Sequence, residues 1–302
     1  MMRESLRRLT DQSPPASNGG AGPKTSGKAT DVRGRPPCPE RIIVLNCYGR
    51  GGSGIVWRMI GSSPDVIMTG EEWHVGVFGK AKLPRKCAVC AFRSLGIKSL
   101  APLRRHALKK TIQLQRPDHV ELKTEARSCV VKLMDYHIVF SDMIRRSFAS
   151  TTFVNLIRHP YGQCESLMRS GLSLADASEW YVDVAQMMAR HADSGALVVR
   201  FEEVVSQPMR ACDQLYRDLS IRWAEDGRFD FKIKPYGDRR TDDVGVRDGE
   251  VVRIGAEDVG LHIDGAVLRG EKDRLSDDQR KAIWDLTGEM ASRFGYEENG
   301  SC

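Results

Sequence analysis

At 302 residues the chain can bury a core of its own, as one large α/β domain or two small ones, without disulfides or a structural metal. Its 41% hydrophobic and 28% charged residues are ordinary for a globular protein and exclude a chain that is disordered throughout. The formal net charge of +6 is uneven: residues 1–39 carry +4, residues 80–116 hold eleven Lys or Arg and no acid, and the remainder carries about −9.

Residues 10–39 are rich in Ser, Pro, Gly, Ala and Thr and hold few large apolar side chains that could offset the entropy of ordering them. The expectation is a disordered basic N-terminal tail over 1–39 and one domain over 40–302. Residues 1–9 contain no apolar run of the length that a signal peptide or membrane span needs, which points to a cytoplasmic protein. A transit peptide fits less well, because such peptides avoid acids and Glu4 and Asp11 are present.

Arg41 to Tyr48 is an apolar run ending in glycines, as expected of a buried parallel strand feeding a loop. Ile55, Val56, Met59 and Ile60 give the next helix one apolar face, and Gly61-Ser62-Ser63-Pro64 closes it. Val66 to Met68 reads as a second strand. Cys129 to Met134 reads as a third, followed by a helical pattern over 137–148, and Thr152 to Ile157 as a fourth. Helices are predicted from Pro160 to about Arg169, over 175–193 and over 208–219, with a strand from Ala196 to Phe201. Such alternation predicts an α/β fold with a central parallel sheet flanked by helices. The glycine-rich, charged region 222–270 reads as a long loop or lid. Ser276 to Gln279 has capping-box spacing and opens a last helix over about 276–296.

Eight cysteines form no disulfide ladder. Only Cys87 and Cys90 have metal or redox spacing, and nothing in the spacing selects His106 or His74 to complete a zinc site. Two ordinary thiols is the simpler reading, no metal is expected, and free thiols suit a reducing compartment.

Gly49-Arg50-Gly51-Gly52-Ser53-Gly54 lies between a predicted buried strand and a helix start. Glycines let backbone N–H groups turn toward an anion, and the helix N-terminus adds partial positive charge. A plain structural turn is the bland alternative. A Walker A loop would continue Gly-Lys-Ser/Thr, and Ile55 stands where the lysine would be.

The segment Arg50 to Gly54 resembles the Lys/Arg-Ser-Gly-Ser/Thr-Ser/Thr loop of the 3′-phosphoadenylyl-sulfate (PAPS) dependent sulfotransferases, with Gly51 and Gly54 in place of hydroxyl residues. Phe153 to Ser166 is similar to that family's 3′-phosphate segment: Arg158 ends a strand, Ser166 follows eight positions later, and His159 replaces the commoner aspartate. Val198 to Pro208 is similar to its late strand-to-helix turn. The resemblance implies a three-layer P-loop-like fold, PAPS as sulfuryl donor, and release of adenosine 3′,5′-bisphosphate. It places Arg50, Gly51, Gly52, Ser53 and Gly54 at the phosphosulfate, with Arg50 at the sulfuryl group, and Arg158 and Ser166 at the 3′-phosphate. It also implies a glutamate base after the second strand, Glu71 first and Glu72 second, and a lysine beside the bridging oxygen at Lys132. His74 is a third candidate for the base, since imidazole has a suitable pKa.

In this family the segment between the second and third strands helps build the acceptor site, where the eleven basic residues of 80–116 lie. The expected partner is a hydroxyl-bearing carbohydrate, glycolipid headgroup or other anionic acceptor, with peripheral membrane contact through the same segment as a further expectation. Nucleic acid is not expected, because Phe92 is the one aromatic residue in that run. A P-loop nucleotide kinase lacking the usual lysine and a non-enzymatic polyanion-binding protein remain open alternatives at this point.

Overall fold

The computed structural model describes residues 40–68, 126–232, 251–255, 258 and 274–298. The expected tail over 1–39, the basic segment 80–116, Glu71, Glu72, His74, Cys87, Cys90 and His106 lie outside the described residues.

Five strands, β1 (Arg41–Cys47), β2 (Val66–Met68), β3 (Ser128–Met134), β4 (Ser150–Ile157) and β5 (Leu197–Arg200), form a sheet in the order β2-β3-β1-β4-β5. All four pairings are parallel. The helices that connect and cover them are α1 (Ser53–Ser62), α2 (Ser141–Ser147), α3 (Pro160–Met168), α4 (Leu174–Ala192), α5 (Phe201–Ser206), α6 (Pro208–Leu219) and α7 (Asp277–Ser292).

Alternation along β1 divides the core into two layers. Ile42 and Val44 pack on one face with residues of α2, α3, α4 and α7, among them Ile144, Tyr161, Tyr181 and Ile283. Ile43, Leu45 and Cys47 pack on the other with α1, α5 and α6, through Ile60, Val204 and Leu215. With helices on both faces, the strands are continuous apolar runs.

On the face of Ile42 and Val44, Asn46 donates from Nδ2 to Asn155 Oδ1 at 3.0 Å, and Asn155 donates to the carbonyl of Met188 on α4 at 2.9 Å. The two asparagines stand opposite one another in the β1–β4 register. A slip by one residue would leave these fully buried amides without partners, which ties the register to hydrogen bonding as well as to packing.

Two local expectations change. The helical pattern over 137–148 is a 3₁₀ segment (Asp135–Phe140) that passes into α2. Within 222–270 an antiparallel pair forms, β6 (Arg228–Lys232) with β7 (Val251–Gly255). Phe229 and Ile254 are paired and buried against the α1 layer, so two short alternating runs gain enough apolar burial to order as strands. The capping box of α7 forms as its spacing predicts, with Ser276 accepting from Gln279 N and Gln279 accepting from Ser276 N. Among the described residues no helix is long and apolar enough to cross a membrane.

Candidate active site

The connections leaving β1 and β4 depart over opposite faces of the sheet, and in an open α/β sheet such a switch point opens a crevice at the C-terminal strand ends. The glycine-rich turn fills the end of β1. Arg50 and Gly52 adopt left-handed backbone, with φ of 63° and 80°. Gly52 is the N-cap of α1, no side chain caps that end, and its first turn has no acid. The amides there keep their partial positive charge for an anion.

Three glycines of the turn, Gly49, Gly51 and Gly52, are crowded by their surroundings, Gly52 most of all. A Cβ on Gly52 would enter the ring of Phe201, the first residue of α5. One on Gly51 would lie 3.0 Å from Tyr48 Cβ, 3.2 Å from the Tyr48 carbonyl oxygen and 3.3 Å from Gln163 Oε1, tight enough that a neighbour would have to shift by a few tenths of an ångström. At Gly54 nothing among the described residues lies within 4 Å of that position, and packing gives no reason for glycine. Ile55, at the P-loop lysine position, is buried in the α1 layer.

Arg158 directly follows β4 and is 4% exposed. It donates from Nη1 to the carbonyl oxygen of Arg50 at 2.9 Å, and its guanidinium lies over the Phe201 ring, 4.7 Å from the centroid. Burial lowers its pKa, while Glu202 and Glu165 oppose that shift; a guanidinium stays protonated under such perturbation. Ser166, on α3, is 3% exposed, and its Oγ accepts from Arg50 Nε at 2.9 Å. Among the described residues its Oγ is seen only as an acceptor, so the hydroxyl proton can serve an anion. Arg50, from the turn after β1, and Arg158 and Ser166, from the β4–α3 segment, therefore form one connected group.

His159 caps α3: its Nδ1 accepts from Tyr161 N at 3.2 Å, while Nε2 stands 3.1 Å from the carbonyl of Glu297. The imidazole thus does the capping work for which aspartate is commonly used at helix starts. Its own amide donates to Glu202 Oε1 at 2.8 Å, and Tyr296 donates to Glu202 Oε2 at 2.6 Å. The segment after α7 is thereby tied to the strand end that carries Arg158.

Lys132 lies on the α1 side of β3, opposite Leu45, with Nζ 5.8 Å from the Trp57 ring centroid. A lysine near a strand end commonly reaches solvent, whereas this one is 6% exposed. Among the described residues no cluster of His, Cys, Asp or Glu could hold a metal ion.

Three further contributors carried little signal in the sequence. Asp135 Oδ1 accepts from Gly49 N at 2.8 Å and from Trp180 Nε1 at 3.1 Å. Gln163 donates from Nε2 to the carbonyl of Gly49 at 2.9 Å. Phe201 backs both Gly52 and Arg158. Gln163 was detectable in principle, as a polar residue on the apolar face that α3 shares with Tyr161, Cys164 and Leu167.

Comparison with known proteins follows the same segments. A model described as "Sulfotransferase family" matches residues 43–225, more than half of the chain. No curated protein matches it in sequence. The sulfotransferase domain from the Synechococcus PCC 7002 olefin synthase is similar in structure, at a TM-score of 0.53 and 18% identity over 89% of this chain and 99% of that domain. The sulfotransferase domain from the curacin biosynthetic pathway gives 0.48 and 17% over 86% and 98%. A sulfotransferase from Alicyclobacillus acidocaldarius gives 0.46 and 13% over 85% and 94%. At 18% identity the likeness to the olefin synthase domain is one of fold.

Proposed function

Because the chain belongs to the sulfotransferase family, we propose that it moves the sulfuryl group of 3′-phosphoadenylyl sulfate to a hydroxyl acceptor and releases adenosine 3′,5′-bisphosphate. The observation that carries this reading is the joining of Arg50 to Ser166 and of Arg158 to the Arg50 carbonyl, each at 2.9 Å. A donor with anionic groups at both its 5′ and 3′ positions needs two cationic subsites held at a fixed spacing. The uncapped start of α1 and Ser53 suit the 5′-phosphosulfate, with Arg50 at its sulfuryl end, while Arg158 and the proton of Ser166 suit the 3′-phosphate.

In the reaction an acceptor oxygen bonds to sulfur and the bond from sulfur to the bridging oxygen breaks, its electron pair leaving on the nucleotide phosphate. Arg50 and Lys132 would stabilise the charge that develops on the moving group and on that bridging oxygen. The acceptor proton would pass to Glu71, with Glu72 second and His74 third as candidates. Positioning and electrostatics carry most of such a transfer.

Two observations bear on the alternatives. Ile55 is a core residue, so the turn offers no lysine at the position where nucleotide kinases place theirs. A polyanion-binding protein without chemistry would have no use for Arg158 held beneath the turn. The eleven basic residues of 80–116 support an acidic glycan, glycolipid headgroup or other anionic acceptor, and not nucleic acid. The four cysteines among the described residues are buried free thiols, which suit a reducing compartment and favour the cytoplasm.

The test is transfer of radiosulfur from labelled donor into a cell extract fractionated into glycans, lipids and small metabolites. Label should enter an acceptor fraction, with an acceptor KM that rises with salt, and Arg50→Ala should abolish it. Phosphate transfer from ATP with Mg²⁺, and none of sulfur, would establish the kinase reading instead.

A further inference from the structure

We infer that Asp135 is a positioning residue for the glycine-rich turn, acting through the Gly49 amide with Gln163 as its counterpart on the Gly49 carbonyl. The inference rests on the reading of that turn as the donor site.

Gly49 is held at both ends of its own residue. Asp135 Oδ1 accepts its N–H at 2.8 Å from the β3 side, and Gln163 Nε2 donates to its carbonyl at 2.9 Å from the α3 side. The next carbonyl, that of Arg50, is taken by Arg158. With those three groups fixed, little freedom is left to the peptide planes on either side of Arg50. This residue accordingly sits at φ 63°, a backbone that a long side chain adopts only when its surroundings impose it.

Asp135 is itself under constraint. It adopts φ 54° directly after β3, a conformation that Asp and Asn tolerate better than other non-glycine residues. Its carboxylate is oriented by Trp180 Nε1 at 3.1 Å, and a Cβ on Gly49 would lie 2.7 Å from Oδ2. Glycine at 49 thus lets a charged acceptor come close to the turn.

The strand register explains why this position can do the work. Cys47 and Met134 are paired at the ends of β1 and β3, so Tyr48-Gly49 and Asp135 leave the sheet side by side. Lys132 lies on β3 three positions before Asp135. One hydrogen bond therefore sets the turn bearing Arg50 against the strand bearing Lys132, the two cations assigned to opposite sides of the breaking bond. Oδ1 already serves two donors, which suits a positioning role more than proton abstraction.

The experiment uses the full chain and two variants suited to a positive φ. Asp135→Gly deletes the carboxylate and relaxes the backbone, whereas Asp135→Asn keeps an acceptor oxygen and removes the charge. Two readouts are needed: affinity for adenosine 3′,5′-bisphosphate by calorimetry and exchange of the Gly49 amide hydrogen by NMR. Asp135→Gly should weaken the nucleotide and speed Gly49 exchange by about tenfold each, with donor KM raised more than kcat is lowered. Asp135→Asn should stay near the parent in both. Parent-like affinity and exchange in Asp135→Gly would overturn the inference, as would an Asp135→Asn variant as impaired as the glycine. A parent chain that fails to bind this nucleotide would instead sink the donor reading, and Gly49 exchange alone would then decide the role of Asp135.

Discussion

Arg158 donates from Nη1 to the carbonyl oxygen of Arg50 at 2.9 Å, so the residue that follows β4 supports the turn that follows β1. The same guanidinium stacks on Phe201, whose ring bars a side chain at Gly52. The two ends of the proposed donor site are therefore mechanically connected.

Removing that side chain should affect one nucleotide more than another. Arg158→Ala is expected to weaken adenosine 3′,5′-bisphosphate about a hundredfold, through loss of charge-assisted bonds to the 3′-phosphate. Adenosine 5′-monophosphate should lose much less, because only the support of the turn is missing. Calorimetry with the two ligands measures the difference, and equal losses would remove Arg158 from the 3′ subsite.

Gly52 and Gly54 should behave oppositely although they are neighbours. Gly52→Ala forces a side chain into φ 80° and into the Phe201 ring, and should cost about 2 kcal/mol or more of stability along with nucleotide binding. Gly54→Ser meets nothing within 4 Å among the described residues and should stay within about 0.5 kcal/mol of the parent. Chemical denaturation of both variants checks this pair of outcomes.

Lys132 is buried against Trp57 and cannot be a solvated strand-end lysine. Its replacement by methionine keeps the buried stem, and kcat should fall about a hundredfold with donor KM changing far less. A rise in KM alone would assign the residue to ground-state binding.

Burial pushes the thiols of Cys129, Cys164 and Cys212 up to about 12. In the unfolded chain they titrate near 8.5, so above that pH the unfolded state holds fewer protons than the folded one and stability falls as pH rises. The window runs from about pH 8.5 to 12, with about 2 kcal/mol lost per thiol by pH 10. Buried Tyr48 and Tyr181, both raised, steepen the loss above pH 10. Urea unfolding at pH 8 and pH 10 should show the decline, and a smaller slope in Cys164→Ala; constant stability across that range would contradict it.

Much of the fold was legible because its signals are local. Continuous apolar runs gave the parallel strands, Pro160 and Pro208 opened helices at the expected residues, and Ser276 capped the last one. What escaped depended on distant partners. Phe229 and Ile254 order as strands because they meet each other and α1, which no window around either residue contains.

The site divides in the same way. Arg50, Arg158 and Ser166 were singled out by resemblance to a family's motifs, and the structure brings them into contact. Asp135 and Gln163 carry no motif; their relation to Gly49 spans sequence separations of 86 and 114 residues. His159 looked like a departure from pattern, yet a ring nitrogen satisfies the helix start as a carboxylate would.

The most direct test of the account is a calorimetric titration of the parent protein with adenosine 3′,5′-bisphosphate in chelator, set against ATP with Mg²⁺. Metal-independent binding of the bisphosphate, at least about tenfold tighter than ATP, is the predicted result. Binding of ATP only with Mg²⁺, with none of the bisphosphate, would contradict the assignment of this site to a sulfuryl donor.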